Sequence, residues 1–240
     1  MNTSIFEIDS QLVSDFARDG VVVVRGLVKP EMIELLARGI DKNIAEPSPR
    51  AKTASRSDDP GWFFEDFCNW QHIPEYREFI FNTPIAEAAA QLMQSEQVRL
   101  YHDHTLVKTA GTQQPTPWHQ DQPYYNIDGR QNISMWLPVD PVPRTATLEF
   151  VGGSHQGPWL MPRSFMDKQA KWFPEGSLQD CPTLKPTAAP TIFWVGNCNQ
   201  GTPCSSTCWP CTHPKARPPR AACSRYASWA TTSPMPPAIG

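Results

Sequence analysis

Several features are scarce or absent in this chain of 240 residues. It has no run of eighteen apolar residues, so we expect no membrane-spanning helix. The formal net charge is −3, and a basic surface for nucleic acid or anionic lipid is therefore not predicted. Residues 1–16 lack the basic flank and apolar stretch of a signal peptide, which predicts a cytoplasmic protein.

Cysteine is nearly absent from residues 1–194, where only Cys68 and Cys181 occur, as is usual in a reducing compartment. The other five cysteines lie in residues 195–240, a segment with eight prolines and no Asp, Glu or Leu. All 24 acidic residues of the chain precede it. We predict that no strand of a packed sheet forms there. The chain is thus divided into an incomplete domain, 1–194, and an aberrant, disordered tail, 195–240.

Helical signals come first along the chain, and strand signals follow. Apolar residues at helical spacing predict helices over 8–18, 30–40 and 85–93, with a short buried strand at 21–24. Residues 47–60 are rich in Ser, Arg and Asp and predict a mobile loop. β alternation predicts a strand over 97–108, and further short strands are predicted over 132–139, 148–151 and 191–195. This order favours an α+β chain whose catalytic part is an antiparallel barrel or jelly roll.

The segment 117–124, PWHQDQPY, carries the strongest chemical signal. On an extended segment, side chains two residues apart point to the same side, so His119 and Asp121 can bind one metal ion. His-x-Asp alone is weak evidence, and His102-Asp103-His104 is a rival with similar spacing. The other interpretation of that rival is a polar strand face with its own hydrogen bonds.

Three runs in order, WHQDQPYYN, NISMWLPVDPV and LEFVGGSHQGPW, make residues up to about Trp194 resemble the phytanoyl-CoA dioxygenase family. The resemblance implies a double-stranded β-helix (jelly roll, cupin-like) core with N-terminal helices packed on it. It also implies that His119 and Asp121 are the first two Fe(II) ligands, that Lys108 serves the co-substrate 2-oxoglutarate, and that Trp136 lines the pocket. Ordinary core packing is the alternative for Trp136. Two histidines and one carboxylate leave iron positions open for 2-oxoglutarate and O2.

The resemblance ends where the family needs a second histidine and an arginine for the distal carboxylate of 2-oxoglutarate. Neither motif occurs in residues 195–240. Joining the last base of each codon to the first two of the next permits WELQPGDSVLFHMLALHASEGK, followed by FSVRFVGDDVTYAPRHW, although codon degeneracy allows other strings. We infer a frameshift near Trp194 or Val195. In the shifted frame the third ligand is encoded across Cys211 and Thr212, and the arginine across Tyr226 and Ala227.

The family resemblance therefore implies an Fe(II)- and 2-oxoglutarate-dependent dioxygenase that hydroxylates a small organic substrate as a monomer or homodimer. With its last core strands missing or disrupted, this chain is expected to be inactive or nearly so. One alternative is a non-catalytic jelly-roll binding protein. Another is a metal-sensing protein in which Cys204, Cys208 and Cys211, with His213 close by, bind zinc. The sequence does not name the substrate.

Overall fold

The computed structural model describes residues 6–112, 116–142, 148–164 and 167–182, and the backbone of the strands at 192–194, 204–207 and 224–232. Four helices precede most of the strands: α1 (Ser10–Asp19), α2 (Pro30–Ala45), α3 (Pro74–Asn82) and α4 (Ile85–Leu92). The strands are β1 (Val21–Val23), β2 (Lys52–Thr53), β3 (Phe63–Phe67), β4 (Arg99–Lys108), β5 (Asn132–Pro138), β6 (Glu149–Val151), β7 (Ile192–Trp194), β8 (Cys204–Thr207) and β9 (Ser224–Thr232).

The ends of the first helix follow from its sequence. The Asp9 side chain accepts a hydrogen bond from the backbone N–H of Gln11 and so caps the start of α1. Gly20 ends the helix in the left-handed region, with φ at 78°, and its N–H bonds to the carbonyl of Phe16. The three predicted helices are confirmed, whereas α3 and β3 were missed. The predicted loop at 47–60 includes the short strand β2.

A seven-stranded antiparallel sheet has the order β1-β8-β5-β9-β4-β3-β2, and β6 and β7 form a second, two-stranded sheet. The helices cover one face of the large sheet, where Ile133, Met135 and Leu137 of β5 join the main core. Trp136 points to the other face and packs with Phe150 of β6. Because successive side chains of a strand alternate between faces, β5 separates a helical side from a second side that carries the candidate site.

The described backbone within residues 195–240 forms two strands, so the prediction that no strand forms there is wrong for part of the tail. β8 pairs with β1 and β5, and β9 pairs with β4 and β5. Neither strand contains proline, and any non-proline backbone supplies an N–H and a C=O to an open sheet edge. Pairing of this kind does not need the side-chain pattern that is missing from the tail. Cys208, Cys211, Thr212 and His213 lie outside the described residues.

Candidate functional site

His119 and Asp121 meet in the connection between β4 and β5. The Nε2 atom of His119 lies 3.2 Å from Oδ1 of Asp121. Its Nδ1 atom lies 2.8 Å from the carbonyl oxygen of Pro117, and because a carbonyl only accepts, Nδ1 carries the proton in the neutral ring. The Nε2 lone pair is then available to a metal ion, as in histidine ligands that donate their other N–H to a backbone carbonyl.

The expected extended segment is not what brings this pair together. Asp121 has φ −73° and ψ −42° and precedes a short 3-10 helix at Gln122–Tyr124, so this part of the sequence-based argument is wrong. The side chains converge because a turn, and not strand alternation, places them side by side. The Oγ atom of Ser134 on β5 donates a 3.0 Å hydrogen bond to Oδ2 of Asp121. The loop is thereby fixed to the sheet at the carboxylate.

The imidazole of His119 and the carboxylate of Asp121 each stabilise the charged form of the other. Burial disfavours the charged form of both, but their mutual contact outweighs burial. The pKa of His119 is therefore raised and the pKa of Asp121 is lowered, with the hydrogen bond from Ser134 contributing to the second shift. A cation that replaces the imidazole proton meets a carboxylate that is already ionised.

The donor set fits two positions of an Fe(II) site of the two-histidine, one-carboxylate type. An imidazole nitrogen and a carboxylate oxygen are in contact, and each has a supporting hydrogen bond on its other side. Within the described parts of the chain, no three His, Cys, Asp or Glu side chains lie close enough together to hold a metal ion. The expected third ligand position, at Cys211 and Thr212, lies outside those parts.

The rival motif His102-Asp103-His104 divides between the two faces of β4. Asp103 is 1% exposed and accepts hydrogen bonds from the backbone N–H groups of Asn69 and Trp70. The rings of His102 and His104 lie on the opposite face, with centroids 6.3 Å apart. Asp103 is therefore committed to a loop on the helical side, which favours the polar-strand interpretation for that residue.

Among the described residues, the two histidines of the rival motif do not have the hydrogen bonds that this interpretation expects. Nδ1 of His102 and Nε2 of His104 are buried, and no described residue is their hydrogen-bond partner. The Nε2 atom of His104 lies 3.6 Å from Oε2 of Glu65, which is beyond hydrogen-bond length. His102 packs edge-on against the rings of Tyr101 and Tyr125 and interacts electrostatically with Asp121. Both rings therefore lie on the face of β4 that carries the candidate site.

Lys108 lies on the same face of β4 as His102. Its Nζ atom donates a 3.1 Å hydrogen bond to Oγ1 of Thr116, three residues before His119, and sits 4.3 Å from the ring centroid of Phe63. Burial lowers the pKa of Lys108 to about 8. The structure thus places its ammonium beside the segment that leads to His119 and Asp121. Its assignment to 2-oxoglutarate remains a prediction.

Trp136 is 5% exposed and packs in a small apolar cluster with Val21, Val142 and Phe150. This environment is the core packing that was the alternative interpretation. Trp136 follows Ser134 by two residues, so it lies on the same face of β5 as the residue that contacts Asp121. Its role in lining a pocket remains a prediction.

Sequence reasoning missed two residues that tie the loop to the chain beyond β6. The Gln120 side chain donates to the carbonyl of Pro158 and accepts from the N–H of Leu160. The Tyr124 hydroxyl donates to the carbonyl of Arg163 at 2.7 Å and accepts from its N–H at 2.8 Å. These contacts join residues about 40 apart in sequence, so no local pattern signals them. They fix the loop that carries His119 and Asp121 on both sides of Asp121.

None of the helices in the described ranges combines the length and the apolar character that a bilayer crossing needs. Among proteins of curated function, no sequence match was found. A sequence profile described as phytanoyl-CoA dioxygenase (PhyH) matches residues 16–188.

Solved structures share the fold at low sequence identity. The non-heme alpha ketoglutarate dependent carbocyclase SnoK from nogalamycin biosynthesis is 15% identical, with a TM-score of 0.74, over 95% of this chain and 85% of that chain. The epimerase SnoN, solved with Fe3+, alpha ketoglutarate and nogalamycin RO, is 16% identical, with a TM-score of 0.70, over 96% and 91%. AviO1 from Streptomyces viridochromogenes Tue57 is 16% identical, with a TM-score of 0.69, over 97% and 98%. The predicted α+β, cupin-like fold is confirmed.

Proposed function

This chain belongs to the phytanoyl-CoA dioxygenase family, and from that premise we propose that its lineage function is Fe(II)- and 2-oxoglutarate-dependent hydroxylation of a small organic substrate. The observation that carries the proposal is the contact between His119 and Asp121. Its two outer partners, the Pro117 carbonyl and the Ser134 hydroxyl, hold both side chains with their metal-binding atoms facing each other. Such outer hydrogen bonds are characteristic of residues that bind a metal ion.

Each residue has a separate task in this proposal. His119 and Asp121 hold the iron, which supplies the oxidising chemistry together with 2-oxoglutarate and O2 when bound. Ser134 keeps the Asp121 carboxylate in one orientation. Lys108 presents an ammonium to the anionic co-substrate, because its pKa of about 8 leaves it mainly protonated at neutral pH. Trp136 packs with Phe150 on the face of β5 that carries Ser134, and it helps to exclude water.

We further propose that the chain as given does not turn over 2-oxoglutarate. In the inferred reading frame the third ligand and the arginine belong to residues that the present tail replaces. Two ligands bind a metal ion more weakly than three, and the co-substrate lacks its bidentate partner. The strands β8 and β9 are consistent with the loss of turnover, because their backbones pair with the sheet without supplying the family's histidine and arginine motif.

The experiment compares the given chain with a frame-restored chain. The coding DNA across the Trp194 codon is sequenced first, because a one-base correction that yields the histidine- and arginine-bearing frame supports the frameshift. Succinate formation from 2-oxoglutarate is then measured with Fe(II). We expect turnover by the frame-restored chain, none above background by the given chain, and loss of turnover in the restored H119A variant.

The matched control is H72Q in the restored chain, because His72 is an exposed histidine outside the site. It should leave turnover unchanged. If the given chain turns over as fast as the restored one, the partial-site proposal is wrong. If the restored chain folds and binds Fe(II) but never consumes 2-oxoglutarate, the hydroxylase proposal is wrong.

A further inference from the structure

A cavity of about 380 Å³ lies between helices α3 and α4 and the large sheet. Its floor is buried and apolar: Ala89, Ile133 and Met135 are 2%, 2% and 4% exposed. Its rim is open, since Phe81 is 63% exposed. The volume falls within the range of about 300–1,000 Å³ that is usual for small-molecule sites.

The cavity is separate from the candidate site at His119 and Asp121. Ser134 points from β5 to Asp121, whereas its two neighbours Ile133 and Met135 point to the opposite face and line the cavity. The sheet therefore stands between the two sites. A ligand in the cavity contacts neither His119 nor Asp121, and its binding does not depend on the proposed oxygenase function.

The helix residues explain why the space is present. Ala86 and Ala89 are neighbours on the α4 surface at an i, i+3 spacing, and both line the cavity with a single methyl group. Trp70 and Phe81 form the opposite wall with ring centroids 6.0 Å apart. Small residues facing large ones leave a slot and not a flat surface.

One of the described residues that line this slot is charged. Arg99, at the start of β4, is exposed, and the other described lining residues include no acidic side chain. Among the described residues its guanidinium takes part in no ion pair. Arg77 adds a second positive charge at the rim, where its guanidinium carbon lies 5.2 Å from the ring centroid of Phe81. An apolar slot with cationic groups at its mouth is complementary to an anionic amphiphile.

We propose that this cavity binds a medium-chain monocarboxylate, with its alkyl chain between α4 and β5 and its carboxylate on the Arg99 guanidinium. An alkyl chain matches the apolar lining, and a guanidinium forms charge-assisted hydrogen bonds with a carboxylate. The pair of features selects against neutral polar ligands, which find no hydrogen-bond partners on the floor. It also selects against organic cations, which Arg99 repels.

The test is calorimetric titration of the full chain, without iron, with hexanoate, octanoate and decanoate below their aggregation concentrations. We expect saturable binding at one site per chain, with an increase in affinity of up to about fourfold for each added methylene. R99Q should weaken decanoate binding about tenfold or more and leave decanol binding unchanged. R56Q, which replaces an exposed arginine away from the cavity, is the matched control and should bind as the unmodified chain does.

A second pair of variants checks the location of the ligand. A89L fills the floor and should abolish decanoate binding, with thermal unfolding used to show that the variant is folded. If A89L does not fold, A86V at the same wall serves instead and should weaken binding about tenfold. Unchanged decanoate affinity in a folded cavity-filling variant, or in R99Q, overturns the proposal. The absence of saturable decanoate binding by the full chain overturns it as well.

Discussion

Ser134 donates a hydrogen bond from Oγ to Oδ2 of Asp121, and the other oxygen of the same carboxylate faces the imidazole of His119. Both oxygens of Asp121 therefore have a partner, Oδ2 in the sheet and Oδ1 in the imidazole of His119. The orientation of the carboxylate depends on a strand that begins eleven residues further along the chain. The His-x-Asp spacing alone does not produce this arrangement.

The first prediction concerns the hydrogen bond by which Ser134 orients the Asp121 carboxylate. S134A should weaken Co(II) binding about tenfold or more, because the freed carboxylate rotates away from His119. Affinity is measured by competition with a chelator in both the given and the frame-restored chain. S14A, on the exposed side of α1, is the control and should bind as the parent does. Equal affinities in S134A and S14A would contradict the assigned role.

The second prediction is a pH dependence of stability that arises from His102. Burial and the neighbouring His104 lower the pKa of His102 from 6.5 to about 4. The unfolded chain therefore takes up a proton at a higher pH than the folded chain, so stability rises with pH between about 4 and 6.5. Replacing His102 removes this contribution, which amounts to about 3 kcal/mol at most from the size of the shift.

Urea unfolding across that pH range measures the effect. H102Q should show a shallower rise of unfolding free energy with pH than the parent chain. H72Q replaces an exposed histidine and should keep the parent slope. A slope that is identical in H102Q and the parent chain would show that the His102 imidazole is not buried in its neutral form.

The third prediction concerns a close backbone approach beside the site. A Cβ atom at Gly61 would lie 1.9 Å from the backbone nitrogen of Thr112, so G61A requires a shift of main chain and should cost about 3 kcal/mol or more. G39A is the comparison. Its Cβ would meet the Tyr76 ring at 2.7 Å, but a side chain moves more easily and alanine favours the helix by about 1 kcal/mol. Urea unfolding should rank G61A as the less stable variant, and the reverse order would contradict the close approach.

The fourth prediction tests whether Asp103 of the rival motif His102-Asp103-His104, and not Asp121, is a metal ligand. D103N should lower the free energy of unfolding by about 2 kcal/mol, because an amide cannot accept all the hydrogen bonds that the buried carboxylate receives from Asn69 and Trp70. The same variant should keep the parent affinity for Co(II). A loss of metal affinity as large as that of D121N would make Asp103 a ligand and overturn the assignment of the pair.

Local patterns predicted a large part of this molecule. The spacing of Leu12, Val13 and Phe16 predicted α1, and alternation predicted β4, because both signals arise from periods that the backbone itself imposes. The short spacing of a histidine and an aspartate was enough to predict His119 and Asp121 as candidate metal ligands. The prediction that Asp121 lies on an extended segment was wrong, because the backbone turns there and the residue is helical in conformation.

Contacts between distant segments were beyond any local pattern. The hydrogen bonds of Gln120 and Tyr124 with residues 158–163 require that the chain after β6 lies against the loop that carries Asp121. The strands β8 and β9 form from a tail without strand-like patterning, since a ladder needs backbone groups and an open edge, and the sheet offers both.

By itself the sequence determined α1, α2 and α4, the strands β1, β4, β5, β6 and β7, the candidate pair His119 and Asp121, and the break in pattern after Trp194. Residue types and their spacing along the chain are enough to indicate these features. Only the tertiary structure decided that Ser134 orients Asp121, that Asp103 faces away from its histidine neighbours, and that Arg99 stands over an apolar cavity. Such relationships arise when strands far apart in sequence pack side by side, which brings together groups that no periodicity connects.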